Sequence, residues 1–495
     1  MKSIPIVPHC RPDPPGEWIR AIPAAADAFL RERPELALPL QFTDLRLEQL
    51  GEGPTLVLDD LSEIPGLDRK MDARFYQDRA RLRAGDGDVV VSCSDLVPGL
   101  EDYFRNCLGL GAPEWLRPPP PRTPLRVAEA CWDHDQTRTR LIERLRGDEL
   151  RYIHPHMGTM SVWELAFLLR SKCERPIGVI APPPGVCQWV NNKVSFAATV
   201  KRLFGPELVP CTESACNLAY IAKRVSELSQ QSEVIGLKLP SSAGGLGNLV
   251  INAQQLRGCS LTRLREMLKN RLQELYWESG SEVLIDRWET EVVSSPSAQL
   301  WIPPINDGEP VVEGVFTQAI EGSQYSFAGS EPSRLPETLN QEIVDRCWVL
   351  GMLFQRLGYV GRCSFDMILV GRDLHTCRIE MIECNGRWGG TSLPMTLMNR
   401  IFRDWIRQPY AVRIAHDIIN LNRFTFSSLL EWFGMNVFDQ HTGTGNVIFI
   451  DPGRMKSRSG IEVLVLGESW EQAICAADCI AERIRQFASA ASNNE

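Results

Sequence analysis

The 495-residue chain contains no uninterrupted apolar run of about twenty residues, so it offers no candidate for a membrane-spanning helix. Its opening, Met1 to Cys10, lacks the apolar core of a secretory signal, and a soluble, cytoplasmic protein with no membrane partner is expected. Lysine and arginine form no run long enough to track a phosphate backbone, and the formal charge of -9 points away from nucleic acid as a partner. Small anionic ligands remain open through local sites. The 15 cysteines are odd in number and include no Cys-x-x-Cys. Several, such as Cys363, Cys377, Cys475 and Cys479, lie in apolar stretches, which favours buried free thiols over disulfides. No Gly-x-Gly-x-x-Gly opens a helix after an early strand, and no Gly-Lys-Ser/Thr completes a Walker loop. Nor does a Ser/His/Asp or Cys/His set supply a side-chain nucleophile.

What is present reads as an ordinary globular composition, 44% hydrophobic and 23% charged, with room for about three domains. Leu56-Val57-Leu58 and Val89 to Ser92 read as buried strands, and the run Pro118 to Pro121 as a stiff boundary segment. A helix near Ser161 to Ser171 and the strand Ile177 to Ile180 continue the strand-helix-strand pattern of a parallel sheet. His154 and His156 flank Pro155 and could touch a substrate, but no Cys or further His lies at metal-ligand spacing.

From Asn191-Asn192-Lys193 onward the chain is more informative. Helices are expected to Phe204, around Ala215 to Ser229, and over Leu261 to Tyr276. The strand Val234 to Leu239 carries Lys238 inside an apolar run, where a lysine is costly unless an anion meets it. Beyond it the loop Ser241 to Asn248 holds Gly244, Gly245 and Gly247, a hairpin able to fold over phosphates and present N–H groups to them. Glu282 to Trp288 is a strand with a charged end, where backbone groups can recognise a base and Asp286, Glu289 or Glu291 can hold ribose hydroxyls. Val311 to Ala319 and Gln324 to Phe327 read as further antiparallel strands, followed by a helix from Gln341 to Leu357. Asp366 lies in the next apolar strand, an expensive place for an unpaired carboxylate.

The chain is organised around Arg378 to Ser392. Strand alternation sends Ile379, Met381, Glu383 and Asn385 one way and Glu380, Ile382 and Cys384 the other. Glu383 and Asn385 thus offer two oxygens to a hard cation such as Mg²⁺, and the planar fork of Arg387 suits a carboxylate or a phosphoryl group. Glu380 competes with Asp366 as the other carboxylate; alternation favours Asp366. Toward the C-terminus, Gly445 to Ile450 and Ile461 to Leu466 read as paired strands. The loop Asp451 to Gly460 carries Arg454, Lys456 and Arg458, read as a solvated turn with a second possibility of reaching an anionic substrate. Ser469 and Gln472 have the spacing of a capping box opening a helix to about Phe487.

Taken in order, Lys193, Lys238, the glycine loop, Leu284 to Trp288, Asp366 and Glu383-x-Asn385-x-Arg387 resemble the ATP-grasp superfamily of carboxylate-amine ligases over residues 186 to 400. The extension Trp388 to Ser392 and the overall layout resemble, more narrowly, the pheganomycin-type peptide ligases. The resemblance implies an α/β (α+β) fold: a Rossmann-like pre-ATP-grasp domain over 1–185, an ATP-grasp domain over 186–405 and a small α/β cap over 406–495. It implies ATP and Mg²⁺, or Mn²⁺, as cofactors. Lys193, Lys238, Gly244, Gly245 and Gly247 would meet phosphates, Ile285, Asp286, Arg287 and Trp288 would form the adenine hinge, and Glu291, or Glu289, would hold ribose. Asp366, Glu383 and Asn385 would bind the metal, with Arg387 and Lys238 catalytic. The implied activity is ADP-forming amide synthesis between an amino-acid or peptide carboxylate and an amine, in natural-product biosynthesis, by a homodimer. A catalytically silent ATP-binding protein and a ligase with a non-amine acceptor are the alternatives.

Overall fold

The computed structural model describes residues 4–48, 51, 53–67, 73–123, 125–210, 212–242, 245, 247–322, 325–458 and 460–492. Among these, every cysteine is free and no helix is long and apolar enough to cross a membrane.

Six short strands form a parallel sheet: β1 (Arg46–Leu47), β2 (Thr55–Leu58), β3 (Val89–Val91), β4 (Glu114–Leu116), β5 (Tyr152–Pro155) and β6 (Gly178–Val179), ordered β1-β6-β5-β2-β3-β4. Parallel strands covered on both faces are apolar throughout, and Val89, Val90 and Val91 are all fully buried. The chain builds outward from β2 to β3 and β4, then returns to place β5 on the other side of β2. A topological switch point therefore lies at the carboxyl ends of β2 and β5, where Asp59 and His156 follow directly. Pro118 to Pro121 is an internal connection rather than a boundary, because the same sheet resumes beyond it with β5 and β6.

A second sheet is antiparallel, ordered β7-β10-β8-β9, from β7 (Thr212–Ala215), β8 (Val234–Lys238), β9 (Asn248–Asn252) and β10 (Val283–Arg287). Leu264, Leu268 and Leu272 recur at helical spacing on Leu261–Glu274 and join Ile235, Leu237 and Ile285 in its core. The helix expected from Ala215 begins at Leu218. The Asn217 side chain accepts from Ala219 and Tyr220 N–H and caps it there, leaving Thr212–Ala215 to enter the sheet.

The third sheet is antiparallel and nine-stranded: β11 (Val292–Ser294), β12 (Pro296–Ile302), β13 (Val311–Glu321), β14 (Ser326–Pro332), β15 (Gly361–Val370), β16 (Arg378–Asn385), β17 (Tyr410–Ala415), β18 (Val447–Phe449) and β19 (Ile461–Leu466). The strand expected from Gln324 starts at Ser326, and Gln324 itself lies outside the described residues. The helix Glu337–Arg356 buries Val349, Leu350 and Leu353 in the core shared with β12 and β15. Pairing of β14 with β17 carries the sheet into the C-terminal stretch, and it requires Gly329: at φ +152, a Cβ there would stand 2.0 Å from the Val412 carbonyl oxygen. Ser469 caps Trp470–Asp478 by accepting from Gln472 N–H, but a second helix, Ile480–Ser492, replaces the single long one expected. The Gln472 side chain bonds Glu468 N–H at 2.6 Å instead of closing back on Ser469.

Candidate active site

The second and third sheets face each other across a cleft into which the sequence-predicted polar residues converge. In register, Asp366 on β15 stands opposite Glu383 on β16, and Ser364 opposite Asn385. The Asp366 carboxylate accepts from Ser297 Oγ at 2.6 Å and from Asn385 Nδ2 at 2.8 Å. Asn385 Nδ2 also lies 3.5 Å from Glu383 Oε1, so the three side chains form one oxygen-rich group. Burial first, then the neighbouring Glu383 charge, pushes Asp366 up to about 6. Burial also works against ionisation of Glu383, but Lys193, Arg387 and Lys238 outweigh it and hold that carboxyl below the usual range.

The register corrects one expectation. Between Asp366↔Glu383 and Met367↔Met381 the pairing slips by one residue, a bulge that breaks the alternation of β16. Ile379, Met381 and Cys384 are the residues that enter the core, while Glu380 pairs with Ile368 and comes to the same face as Glu383. Glu380 is buried and bonded to Arg378, with Glu289 and Lys238 close enough to move its pKa in opposite directions. Glu380 therefore belongs to the cleft rather than to its back.

Both lysines reach the cleft already paired. Lys193, capped into its helix by Asn192, places Nζ 2.7 Å from Glu383 Oε2 and 2.9 Å from the Ser242 carbonyl oxygen, tying the glycine loop to the metal-type carboxylate. Lys238 Nζ lies 2.6 Å from Asp286 Oδ2 and 5.0 Å from the centre of the Trp288 ring, which supplies the anion its position demands. Trp288 packs flat on Gly236, where an added Cβ would lie 2.4 Å from the ring. The carboxylate of Asp286 is thus turned to Lys238, not to the hinge, and Ile285 is in the core of the four-stranded sheet. The Arg287 guanidinium turns away too, bonding Ser232 Oγ and the Gln231 carbonyl at 3.0 Å each. Only the main chain of these three is available to a base. Glu291 is exposed and its carbonyl bonds Gly371 N–H, whereas Glu289 pairs with Arg378 at 3.0 Å beside Glu380. The cleft-side acid is Glu289. Gly245 adopts φ +78 and Gly247 packs onto Ser242, while Gly244 lies outside the described residues.

Arg387 is aimed by two amides, its guanidinium bonding Asn191 Oδ1 and Asn385 Oδ1. Asn191 Oδ1 also accepts from Gly386 N–H at 3.0 Å. Asn191 was visible in the sequence only as the first of an Asn-Asn-Lys run, with nothing to show its target nearly 200 positions on. Trp388 then pins this strand end to the parallel sheet: its N–H donates to the His156 carbonyl at 3.0 Å, and its Nε1 donates to His154 Nε2 at 3.2 Å. Its ring lies between the Arg83 and Arg362 guanidinium groups, 5.1 and 5.0 Å from its centre. A small cavity opens at this junction, lined by His156, Met157, Ile180, Tyr359, Arg387 and Trp388. Burial, with Arg79, Arg83 and Arg387 around it, holds His156 well below its ordinary pKa and hence neutral; His154 is kept neutral by burial and by Arg83 and Arg362. His156 Nδ1 stands 3.7 Å from Asp59 Oδ2, and among the described residues no group of three or more His, Cys, Asp or Glu is placed to hold a metal.

The donor set of Asp366, Glu383 and Asn385 fits a hard divalent cation. Asp366 and Glu383 offer carboxylate oxygens, and two carboxylates forced together in a half-buried site are the arrangement a cation relieves; Asn385 turns Nδ2 to them and its Oδ1 to Arg387.

Comparison with known proteins agrees with this architecture. A family model described as the pre-ATP-grasp domain matches residues 77–170. No curated protein matches the chain. Among solved structures, the N5-carboxyaminoimidazole synthetase from Staphylococcus aureus complexed with ADP superposes with a TM-score of 0.51 at 10% identity, covering 89% of this chain and 100% of that one. A biotin carboxylase from Campylobacter jejuni gives 0.51 at 13% identity, covering 88% and 94%. The biotin carboxylase domain of the Hydrogenobacter thermophilus 2-oxoglutarate carboxylase gives 0.50 at 12%, covering 86% and 88%. The chain has an ATP-grasp fold with a pre-ATP-grasp domain.

Proposed function

We propose that this protein is an ATP-dependent, ADP-forming ligase that converts a carboxylate to an acyl phosphate and joins it to the amine of an amino acid or peptide. One observation carries the reading. Asp366, Glu383, Asn385 and Arg387 converge with Lys193 on one patch of the cleft, and Lys238 faces it from the opposing sheet. Asp366, Glu383 and Asn385 would hold Mg²⁺, which neutralises phosphate charge when bound. Lys193 and Lys238 would then exchange their carboxylate partners for phosphate oxygens. The substrate carboxylate oxygen attacks the γ-phosphorus of ATP and the bond to the bridging oxygen of ADP breaks. The amine nitrogen next attacks the acyl carbon, the carbon–oxygen bond to phosphate breaks, and the amine loses a proton. Arg387, fixed by Asn191 and Asn385, stabilises the oxyanion of that second step, and preorganised charge of this kind supplies most of the rate. Shielding of the intermediate from water falls to the hairpin between Lys238 and Asn248.

Release of ADP and phosphate from ATP and Mg²⁺ with pooled amino acids and short peptides tests the proposal. Amine-dependent ADP formation that Glu383→Ala abolishes supports it; AMP and pyrophosphate as products would overturn the acyl-phosphate route.

A further inference from the structure

Amide formation releases a proton from the attacking amine, and none of the groups given a part in the reaction is free to take it. Lys193, Lys238 and Arg387 are cations, and Asp366 and Glu383 are engaged at the metal-type site. The small cavity beside Arg387 supplies a candidate, because His156 lines it together with Arg387, Tyr359 and Trp388. Main-chain bonds fix this placement. Trp388 N–H donates to the His156 carbonyl and His156 N–H to the Leu58 carbonyl, each at 3.0 Å, so the end of β16 is held against the switch point of the parallel sheet at this one residue. Tyr359 does not compete for the proton: its hydroxyl donates to the Arg362 carbonyl at 2.6 Å, and burial keeps it protonated.

Behind the imidazole stands Asp59, at the carboxyl end of β2 and fully buried. Arg83 holds it in place, donating to Asp59 Oδ1 and to the Pro155 carbonyl at 2.9 Å. Asp59 Oδ2 and His156 Nδ1 have no hydrogen bond of their own and face each other at 3.7 Å. Arg79 and Arg83 from the stretch Ala73–Arg83, and Arg387 from the end of β16, complete the charged surroundings; with burial they hold the imidazole neutral, the form that can accept a proton. The cavity itself has room for about one water-sized group, which admits an amine nitrogen and excludes a side chain.

We propose that His156 is the proton acceptor of the amide-forming step, with Asp59 as its positioning residue. This rests on the ligase reading. As the amine nitrogen bonds the acyl carbon held at Arg387 and the carbon–oxygen bond to phosphate breaks, an N–H proton passes to His156 Nε2, the ring nitrogen not turned to Asp59. The Nδ1 contact to Asp59 Oδ2 tightens as the imidazolium charge forms, and the proton leaves with the products. A base kept neutral by its surroundings is too weak to deprotonate a free ammonium ion. An amine nitrogen that has begun to bond an acyl carbon is a far stronger acid, and only at that point does His156 need to act.

Hydroxylamine in place of the amine acceptor tests this, because it is uncharged near neutral pH and captures an acyl phosphate as a hydroxamate without a base. In His156→Gln, amide formation should fall about a hundredfold or more relative to hydroxamate formation. His156→Ala should regain part of the lost amide rate when imidazole is added, which a purely structural role would not allow. In the wild type, kcat for amide formation should drop on the acid side as His156 is protonated, a limb that hydroxamate formation does not share; Asp59→Asn should move it to lower pH, since the imidazolium loses its counter-charge. Equal losses in the two reactions overturn the role, and an unaffected amide rate overturns it by giving the proton to the departing phosphate. Should neither His156 variant fold, the wild-type profiles decide: an acid limb confined to amide formation upholds His156, and the same limb in both reactions overturns it. No hydroxamate from the wild type overturns the ligase reading and the base with it, whereas hydroxamate alongside an amide rate indifferent to His156 overturns the base alone.

Discussion

Asp366 and Glu383 are direct partners across β15 and β16, with Asn385 Nδ2 reaching both carboxylates. Like charges opposite each other on a sheet are destabilising, and here Lys193, Arg387 and Lys238 offset them from outside the pair. A divalent cation should therefore stabilise the folded protein before any nucleotide is added. At a hundredfold excess over Kd the gain is about 2.7 kcal/mol. Thermal melts with and without Mg²⁺ should show the rise in wild type and its loss in Asp366→Asn; an equal rise in both would remove Asp366 from the metal site.

Lys238 and Asp286 form a largely buried pair whose members behave unequally when removed. Asp286→Ala leaves the ammonium buried over Trp288 and should destabilise by about 3–5 kcal/mol. Asp286→Asn keeps a hydrogen-bond acceptor, so the fold should survive while Lys238 loses its fixed position, and kcat/KM for ATP should fall about tenfold. Denaturant melts and steady-state kinetics on the two variants separate the effects. A stable Asp286→Ala protein would mean that water reaches the lysine.

The cleft was more legible than its surroundings, for a physical reason. Asp366, Glu383 and Asn385 sit on two consecutive strands, so local alternation and one hairpin are enough to bring them together. No residue type marks the bulge beside Glu383, so strict alternation places Glu380 on the wrong face. Asn191, Ser242 and Ser297 reach their partners across 195, 49 and 69 positions of chain, and nothing local announces such contacts. The parallel sheet was readable from apolar runs such as Val89 to Val91, yet its strand order, which sets Asp59 beside His156, depends on long-range pairing. A turn rich in Gly, Ser and basic residues is usually exposed, so the sequence alone places Arg454 in solvent; tertiary packing against Tyr76 buries it instead.

Trp388 is 2% exposed and joins the end of β16 to the parallel sheet, through His154 and between two arginines. Trp388→Ala should cost about 3–5 kcal/mol from the cavity it leaves. Trp388→Phe keeps most of the packing and loses the bond to His154, and should cost about 1 kcal/mol. Urea unfolding gives both values. A small loss in Trp388→Ala would mean that the two sheets are held together elsewhere.

Glu462 gives the protein a pH dependence whose sign follows from its burial. Desolvation raises its carboxyl from 4.5 to about 7, against the attraction of Arg79 and Arg454. The folded state thus holds a proton that the unfolded chain releases at lower pH, and stability falls as pH rises from about 4.5 through about 7. Below that window Glu462 is protonated in both states and adds no penalty; above it the full difference, about 3 kcal/mol as an upper figure, opposes folding. Glu462→Gln carries no such charge, so it should melt above wild type at pH 8 and close to it at pH 5. Paired thermal melts across that range provide the check. An equal offset at both ends would show that the substitution acts by packing, and a variant less stable at pH 8 would show that the ionised Glu462 is held by Arg79 and Arg454 more strongly than its burial disfavours it.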